Sequence, residues 1–215
     1  NEETIEGFEL LYATPGVNDA AEVAGHLILR VKMNNNPQAK KLGVENPNDI
    51  VISFLADTQD GAKALAGKQN NKCHDSFLGF RFKNNYGSSF DAMAPIVQAV
   101  KGLGGGFLTI FDRTTLRQAI DNYTVRQDRN LLRYKLNLTK KQKRSLIQKL
   151  YLAKKNYKTP YYFFNRNCAS VLVQIIAEGI GVNKIADFDP LVLPPNTLLA
   201  MMRRKGLITP VYPAF

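Results

Sequence analysis

Cysteine and histidine, which nucleophilic and general-base chemistry often uses near neutral pH, are scarce in this chain, with two of each. Cys168 stands out by its surroundings. It follows Asn167 in the stretch Tyr161-Tyr162-Phe163-Phe164-Asn165-Arg166-Asn167-Cys168-Ala169-Ser170, directly ahead of an apolar run with helical spacing. A thiol in the first turn of a helix faces unsatisfied backbone N–H groups and the positive end of the helix dipole, which favour thiolate. Thiolate is the nucleophile, and a thiol with an ordinary pKa of about 8.5 supplies little of it at neutral pH. Cys168 is therefore a candidate nucleophile that needs a base within reach.

A histidine base has two candidates, His26 and His74. His74 follows Cys73 in the loop-like stretch Asn70-Asn71-Lys72-Cys73-His74-Asp75. His26 follows Gly25 and opens a run of strand-forming residues, Leu27-Ile28-Leu29-Arg30-Val31, a rigid place from which to aim an imidazole. We favour His26. With His first and Cys second, the order is the reverse of papain and fits a circularly permuted papain-like fold, because such constellations are defined by geometry rather than chain order.

Composition bounds the partners. The chain has 215 residues, 45% of them hydrophobic, as expected of a folded domain. No apolar run approaches the ~20 residues that a membrane helix needs. The chain opens on Asn1 rather than Met, which fits a mature or truncated form whose leader or membrane segment has been removed. A net charge of +11, from 29 Lys and Arg against 18 Asp and Glu, favours polyanions: nucleic acid, an anionic membrane face or a cell-wall polymer. Lys140-Lys141-Gln142-Lys143-Arg144 is the densest basic stretch. It reads as a solvated helix face rather than a nucleic-acid groove, since no zinc-finger spacing, RNA-binding aromatic motif or basic zipper accompanies it. No metal site is expected either, because His26 and Cys168 lack the close paired spacing of structural zinc. The two cysteines do supply a rival account, a Cys73–Cys168 disulfide in an exported protein, which would leave no nucleophile.

The elements that must position these groups follow from hydrophobic period and turn chemistry. Residues 8–14, 25–33, 49–57 and 132–138 read as strands. If the second and third pair as a hairpin, His26 lies near the end of the other strand, around Asp57, and a carboxylate there would orient the imidazole. Residues 114–126 carry helical spacing, and Thr139 is placed to cap a helix through about residue 156, with Leu146, Ile147, Leu150 and Tyr151 inward. Asn165 or Asn167 caps the Cys168 helix, Val171, Leu172, Ile175 and Ile176 form its apolar face, and Gly179 or Gly181 stops it. Asn196 caps a last helix over 197–205. The glycine cluster 102–106 has no Lys-Ser/Thr after it and so is no phosphate loop. With no repeat and no linker, residues 1–215 read as one α+β domain.

Four segments in order resemble the Lnb N-terminal periplasmic domain family of bacterial envelope proteins. Gly25–Val31 is similar to its Gly-His-x-Phe-Leu-Arg strand, with Ile28 in place of Phe. Residues 102–107 resemble its glycine-rich stretch. Residues 129–139 resemble its Arg-Asp-Leu-Trp-x-Tyr-x-Leu-x-Leu-Thr pattern, with Asn130 and Leu132 in place of Asp and Trp. Residues 161–170 resemble its Tyr-x-Phe…Asn-Cys-Ser/Ala motif. The resemblance implies a permuted papain-like fold of the kind found in lecithin:retinol acyltransferases, with an antiparallel sheet packed on helices. It also implies a periplasmic location at the membrane surface and an activity, lipoprotein N-acylation. In that activity an acyl chain leaves a phospholipid donor, rests on Cys168 as a thioester and passes to the N-terminal amine of a lipoprotein acceptor.

Thiol acyl transfer needs a nucleophile, a base, an orienting group and oxyanion donors, all available from the protein, so no cofactor is called for. The expected assignment is Cys168 as nucleophile, His26 as base and then acid, Asp57 as orienter and the Cys168 N–H as oxyanion donor. Tyr161 or Asn167 would add a side-chain donor, against core packing for Tyr161 and capping for Asn167. Arg30 and Arg129 would hold a phosphate, against structural ion pairing for each. A cysteine peptidase or amidase acting on cell-wall peptides, and a non-catalytic envelope scaffold, are the alternatives.

Overall fold

The computed structural model describes residues 5–16, 25–34, 45–57, 76–77, 80–81, 107–156, 160–161, 167–182 and 194–215. They form an α+β arrangement. Its strands are β1 (Ile5–Ala13), β2 (His26–Met33), β3 (Ile50–Asp57), β4 (Ser76–Phe77), β5 (Phe80–Arg81), β6 (Phe107–Thr115), β7 (Leu131–Leu136), β8 (Pro160–Tyr161) and β9 (Ile208–Val211). Seven of them make one antiparallel sheet in the order β8-β6-β3-β2-β1-β7-β9, while β4 and β5 pair separately. β2, which begins with His26, is the central strand.

Both faces of the sheet are covered, because its strands carry apolar residues in both phases of the alternation. One phase of β1 to β3 (Phe8, Leu10, Tyr12, Leu27, Leu29, Val31, Ile52, Phe54) packs under α2 (Lys140–Asn156), α3 (Cys168–Ile180) and α4 (Pro195–Arg204). The other phase (Leu11, Ala13, Ile28, Val51, Leu131) packs under α1 (Leu116–Ile120) through Leu116 and Ala119, with Tyr123 and Phe215 against it. α1 continues as a π-helical segment, Asp121–Arg126. α3 is the helix most enclosed by the core: only Gln174 and Glu178 are exposed. Each of its fully buried aliphatic side chains contributes about 1.5–3 kcal/mol relative to exposure.

Local signals account for most boundaries. Thr139 caps α2 as expected: its hydroxyl accepts from the Gln142 N–H at 3.2 Å and the Gln142 side chain accepts from the Thr139 N–H at 3.0 Å. Of the two possible caps for α3, Asn167 is used, and of the two possible stops, Gly181, whose φ of +72° is the left-handed conformation that favours glycine. Gly179 instead lies within α3 where α2 crosses, and a Cβ there would fall 2.9 Å from the Leu146 Cα.

Four expectations need correction. Residues 114–115 end β6, and helix begins only at Leu116, where Thr115 forms a capping box with Gln118. Tyr151 of α2 is exposed, not inward, and Ala153 takes its place in the core. The last helix starts at Pro195, a residue suited to the first helical position, and Asn196 lies inside it. Strands β6 and β9 were not anticipated. The expectations for Cys73, His74 and the glycine cluster 102–106 fall outside the described residues.

Candidate active site

The antiparallel register gathers several candidate residues at one end of the sheet. His26 is the first residue of β2 and pairs with Ala13, the last of β1. β2 and β3 pair antiparallel through Leu29–Ile52, Arg30–Val51 and Val31–Ile50, so the start of β2 and the end of β3 share that end. Asp57 is the last residue of β3 and pairs with Leu108 near the start of β6; its side chain lies outside the described residues. Tyr161, at the end of β8, pairs with Phe107 at the same end, and its side chain is likewise outside them. Seven positions later the chain reaches Cys168 at the start of α3.

Gly25 makes the entry to β2 possible. Its φ is +74°, and a Cβ would sit 2.5 Å from Cε2 and 2.7 Å from the hydroxyl of Tyr12. Glycine is thus required twice over, by conformation and by space. The Gly-His pair reflects a backbone that turns sharply under Tyr12 and then presents the imidazole.

His26 keeps a partly exposed edge, but its Nε2 is buried and has no hydrogen-bond partner. A buried polar atom without a partner costs free energy and is rare in folded proteins; among the described residues Thr109 Oγ1 is another. Burial, with a smaller contribution from the Arg129 charge, pushes the imidazole down from 6.5 to about 3. His26 is therefore neutral at physiological pH and able to accept a proton.

Tyr123 is the residue that sequence reasoning missed. Its ring stacks on His26 with centroids 5.9 Å apart and planes 22° from parallel. It is carried by the π-helical segment after α1, a geometry that often marks functional positions. Burial raises its hydroxyl well above the ordinary tyrosine range; Arg129 opposes the shift, and Cys168 and Asp112 add to it. Tyr123 thus touches His26 and lies within electrostatic reach of Cys168. This link matters because the two come from different layers. His26 shares its strand phase with Ala13 and Ile28, on the Tyr123 side of the sheet, whereas Cys168 packs in the larger core. Of the described residues, Tyr123 is one that stands in contact with His26 and in the electrostatic field of Cys168.

Arg129 braces this corner. Its guanidinium donates to the Ala13 and Thr14 carbonyls at 3.0 and 2.6 Å and to Gln127 at 2.8 Å, and lies 5.5 Å from the centre of the Tyr123 ring. A positive charge over an aromatic face is attracted to it. The structure thus gives Arg129 a bracing role.

Cys168 is a buried thiol, not half of a disulfide. Asn167 ahead of it is nearly buried, and its Oδ1 accepts from the Ala169 and Ser170 N–H groups at 3.1 and 3.0 Å. The Asn167 side-chain oxygen thus serves as the cap. Arg30 differs further from its expected role. It is fully buried and donates to Glu9 at 2.8 Å, to Asp49 at 2.9 and 2.6 Å, and to Glu45. Arg133 joins the same carboxylates and lies over the Phe215 ring. Enclosed in this network, Arg30 is shut off from any headgroup. Among the described residues no cluster of three or more potential metal ligands occurs.

The sequence pattern of the Lnb N-terminal periplasmic domain matches residues 74–197, more than half of the chain. The chain belongs to the Lnb N-terminal periplasmic domain family. The matched span contains Cys168, Tyr123 and Arg129, whereas His26 and Asp57 precede it. No curated protein and no solved structure matches the chain. The family is described as periplasmic, and no described helix is long and apolar enough to cross a membrane.

Proposed function

We propose that this member of the family is a cysteine-dependent acyltransferase of permuted papain-like design, working at the periplasmic membrane surface. It moves an acyl chain from a phospholipid donor to the N-terminal amine of a lipoprotein acceptor. The observation that carries the reading is a buried Cys168 at the Asn167-capped start of α3 in a chain of this family, with His26 stacked on Tyr123 at the entry to the central strand.

In the first half-reaction the Cys168 Sγ attacks the ester carbonyl carbon of the donor while His26 takes the thiol proton at its unpartnered nitrogen. The tetrahedral intermediate collapses with cleavage of the carbon–oxygen bond. His26 returns the proton to the departing glycerol oxygen, releasing lysophospholipid and leaving a Cys168 thioester. In the second half-reaction the acceptor amine attacks the thioester carbon. His26 removes a proton from nitrogen and Cys168 leaves with it as the thiol. The Cys168 backbone N–H is the proposed oxyanion donor, the Ala169 and Ser170 N–H groups being engaged by the Asn167 cap. Asp57 is the proposed orienter of the imidazole, and Tyr161 a proposed substrate contact.

A neutral His26 implies that proton transfer accompanies attack, rather than preceding it in a stable thiolate–imidazolium pair. Incubation of the purified domain with phospholipid vesicles and a diacylglyceryl-cysteine peptide tests the assignment. N-acylated peptide and lysophospholipid are expected in equal amounts, with both lost in Cys168→Ser and His26→Ala. Free fatty acid released regardless of acceptor would instead indicate a hydrolase.

A further inference from the structure

α2 carries Lys140, Lys141, Lys143, Arg144, Lys149, Lys154 and Lys155 and no acidic residue. Part of that charge is engaged: Lys143 donates to the Glu6 carbonyl at 2.6 Å, and Lys149 lies 3.5 Å from Glu178. The C-terminal half differs. Tyr151 and Leu152 are 56% and 51% exposed, adjacent large apolar residues on a helix that otherwise buries its apolar side. Lys154 and Lys155 flank them, also exposed, with the Lys155 ammonium 4.6 Å from the centre of the Tyr151 ring. Favourable contact with the helix dipole explains basic residues in a last turn. It does not explain why Tyr151 and Leu152 point to solvent.

The position of this patch is set by the α2–α3 pair. The Gln142 side chain bonds the Ile180 carbonyl at 3.2 Å, Leu146 crosses Gly179, and Lys149 meets Glu178. The start of α2 therefore lies beside the end of α3. From there α2 runs toward the beginning of α3, with Ala153 still in the core that holds Cys168 and Leu172. Tyr151, Leu152, Lys154 and Lys155 thus lie toward the Cys168 end of the pair.

We propose that Tyr151, Leu152, Lys154 and Lys155 form the surface by which the domain docks on an anionic bilayer, with the Cys168 end of α3 turned toward the lipid. The proposal rests on the reading that the acyl donor is a phospholipid, and it names the face that meets that donor's membrane. Exposed aromatic and aliphatic tips beside lysines suit the headgroup boundary, where the apolar parts leave water and the ammonium groups meet phosphate.

Flotation of the intact domain with phosphatidylcholine vesicles, with and without phosphatidylglycerol, tests this. Binding should require phosphatidylglycerol and weaken as salt rises. Lys154→Gln/Lys155→Gln should weaken it roughly thirty-fold, and Tyr151→Ser/Leu152→Ser by roughly tenfold or more. Arg203→Gln/Arg204→Gln, which removes equal charge from α4, should change it little. Equal loss in the α4 control, or equal binding to both vesicle types, would overturn the proposal. Acyl transfer from detergent-solubilised phospholipid keeps the two ideas separate. It should survive in the α2 variants, and its absence in the parent protein alongside intact flotation would refute the catalytic reading alone.

Discussion

At the scale of single residues, the site depends on one glycine, one histidine and one tyrosine. Gly25→Ala places a Cβ against Tyr12 in a left-handed conformation. Such strain costs about 1–3 kcal/mol, so a lowered thermal midpoint and a larger loss of acyl transfer are expected, because the displaced residue is the one preceding His26. Tyr123→Phe keeps the ring against His26 and removes the hydroxyl, whereas Tyr123→Ala removes both. If stacking positions the imidazole, the Phe variant should retain far more kcat than the Ala variant, with KM nearly unchanged in both; equal losses would assign the role to the hydroxyl. His26 also predicts a pH dependence. Its folded value of about 3 lies below the ordinary 6.5, so between those values the unfolded chain holds a proton that the folded chain does not. Stability is complete above about pH 6.5 and falls as pH drops toward 3, and denaturant titrations of His26→Gln should show a shallower acid-side loss. For the same reason the acid limb of the kcat profile should show no ionisation near 6.5.

At the scale of elements, the α2–α3 crossing fixes where Cys168 stands. Gly179→Ala would press a methyl group into the Leu146 backbone. Overpacking of this kind costs about 1–3 kcal/mol, measurable as a lower denaturation midpoint, and it should slow Cys168 alkylation less than it lowers stability. Period and capping made β1, β2, β3, β7, α2 and α3 legible from sequence to within a few residues, because apolar spacing and Thr139, Asn167 and Gly181 act locally. β6 was missed because Phe107–Thr115 carries polar and charged residues in both phases and runs into α1 at Thr115. β9 is short and is held by pairing with β7, which no local signal reports. Cys168 and His26, the proposed nucleophile and base, stand out by their neighbours in the chain. Tyr123 does not, since its helical spacing reads as ordinary core and its meeting with His26 is made by the π-helical turn. Arg30 misled for a related reason: Glu9, Glu45 and Asp49 are remote in sequence, and only the fold assembles them around it. Removing one partner of such a buried network costs about 3–5 kcal/mol. Glu9→Gln should therefore lower the unfolding free energy substantially while leaving residual acyl transfer at low temperature intact.

At the scale of the molecule, a central strand begins with His26 and a core helix begins with Cys168, so the proposed base and the thiol stand at the ends of two rigid elements. Tyr123 and Arg129 brace the His26 end of the sheet. The basic face of α2 continues toward the same end, which joins the chemistry to a surface suited to lipid. The central claim is that acyl groups pass through Cys168, and intact mass measurement of the domain after exposure to phospholipid vesicles without acceptor tests it most directly. The account predicts a single acyl adduct that hydroxylamine removes, that is absent in Cys168→Ser and that forms far more slowly in His26→Ala; an unmodified protein, or an adduct that persists in Cys168→Ser, would contradict it.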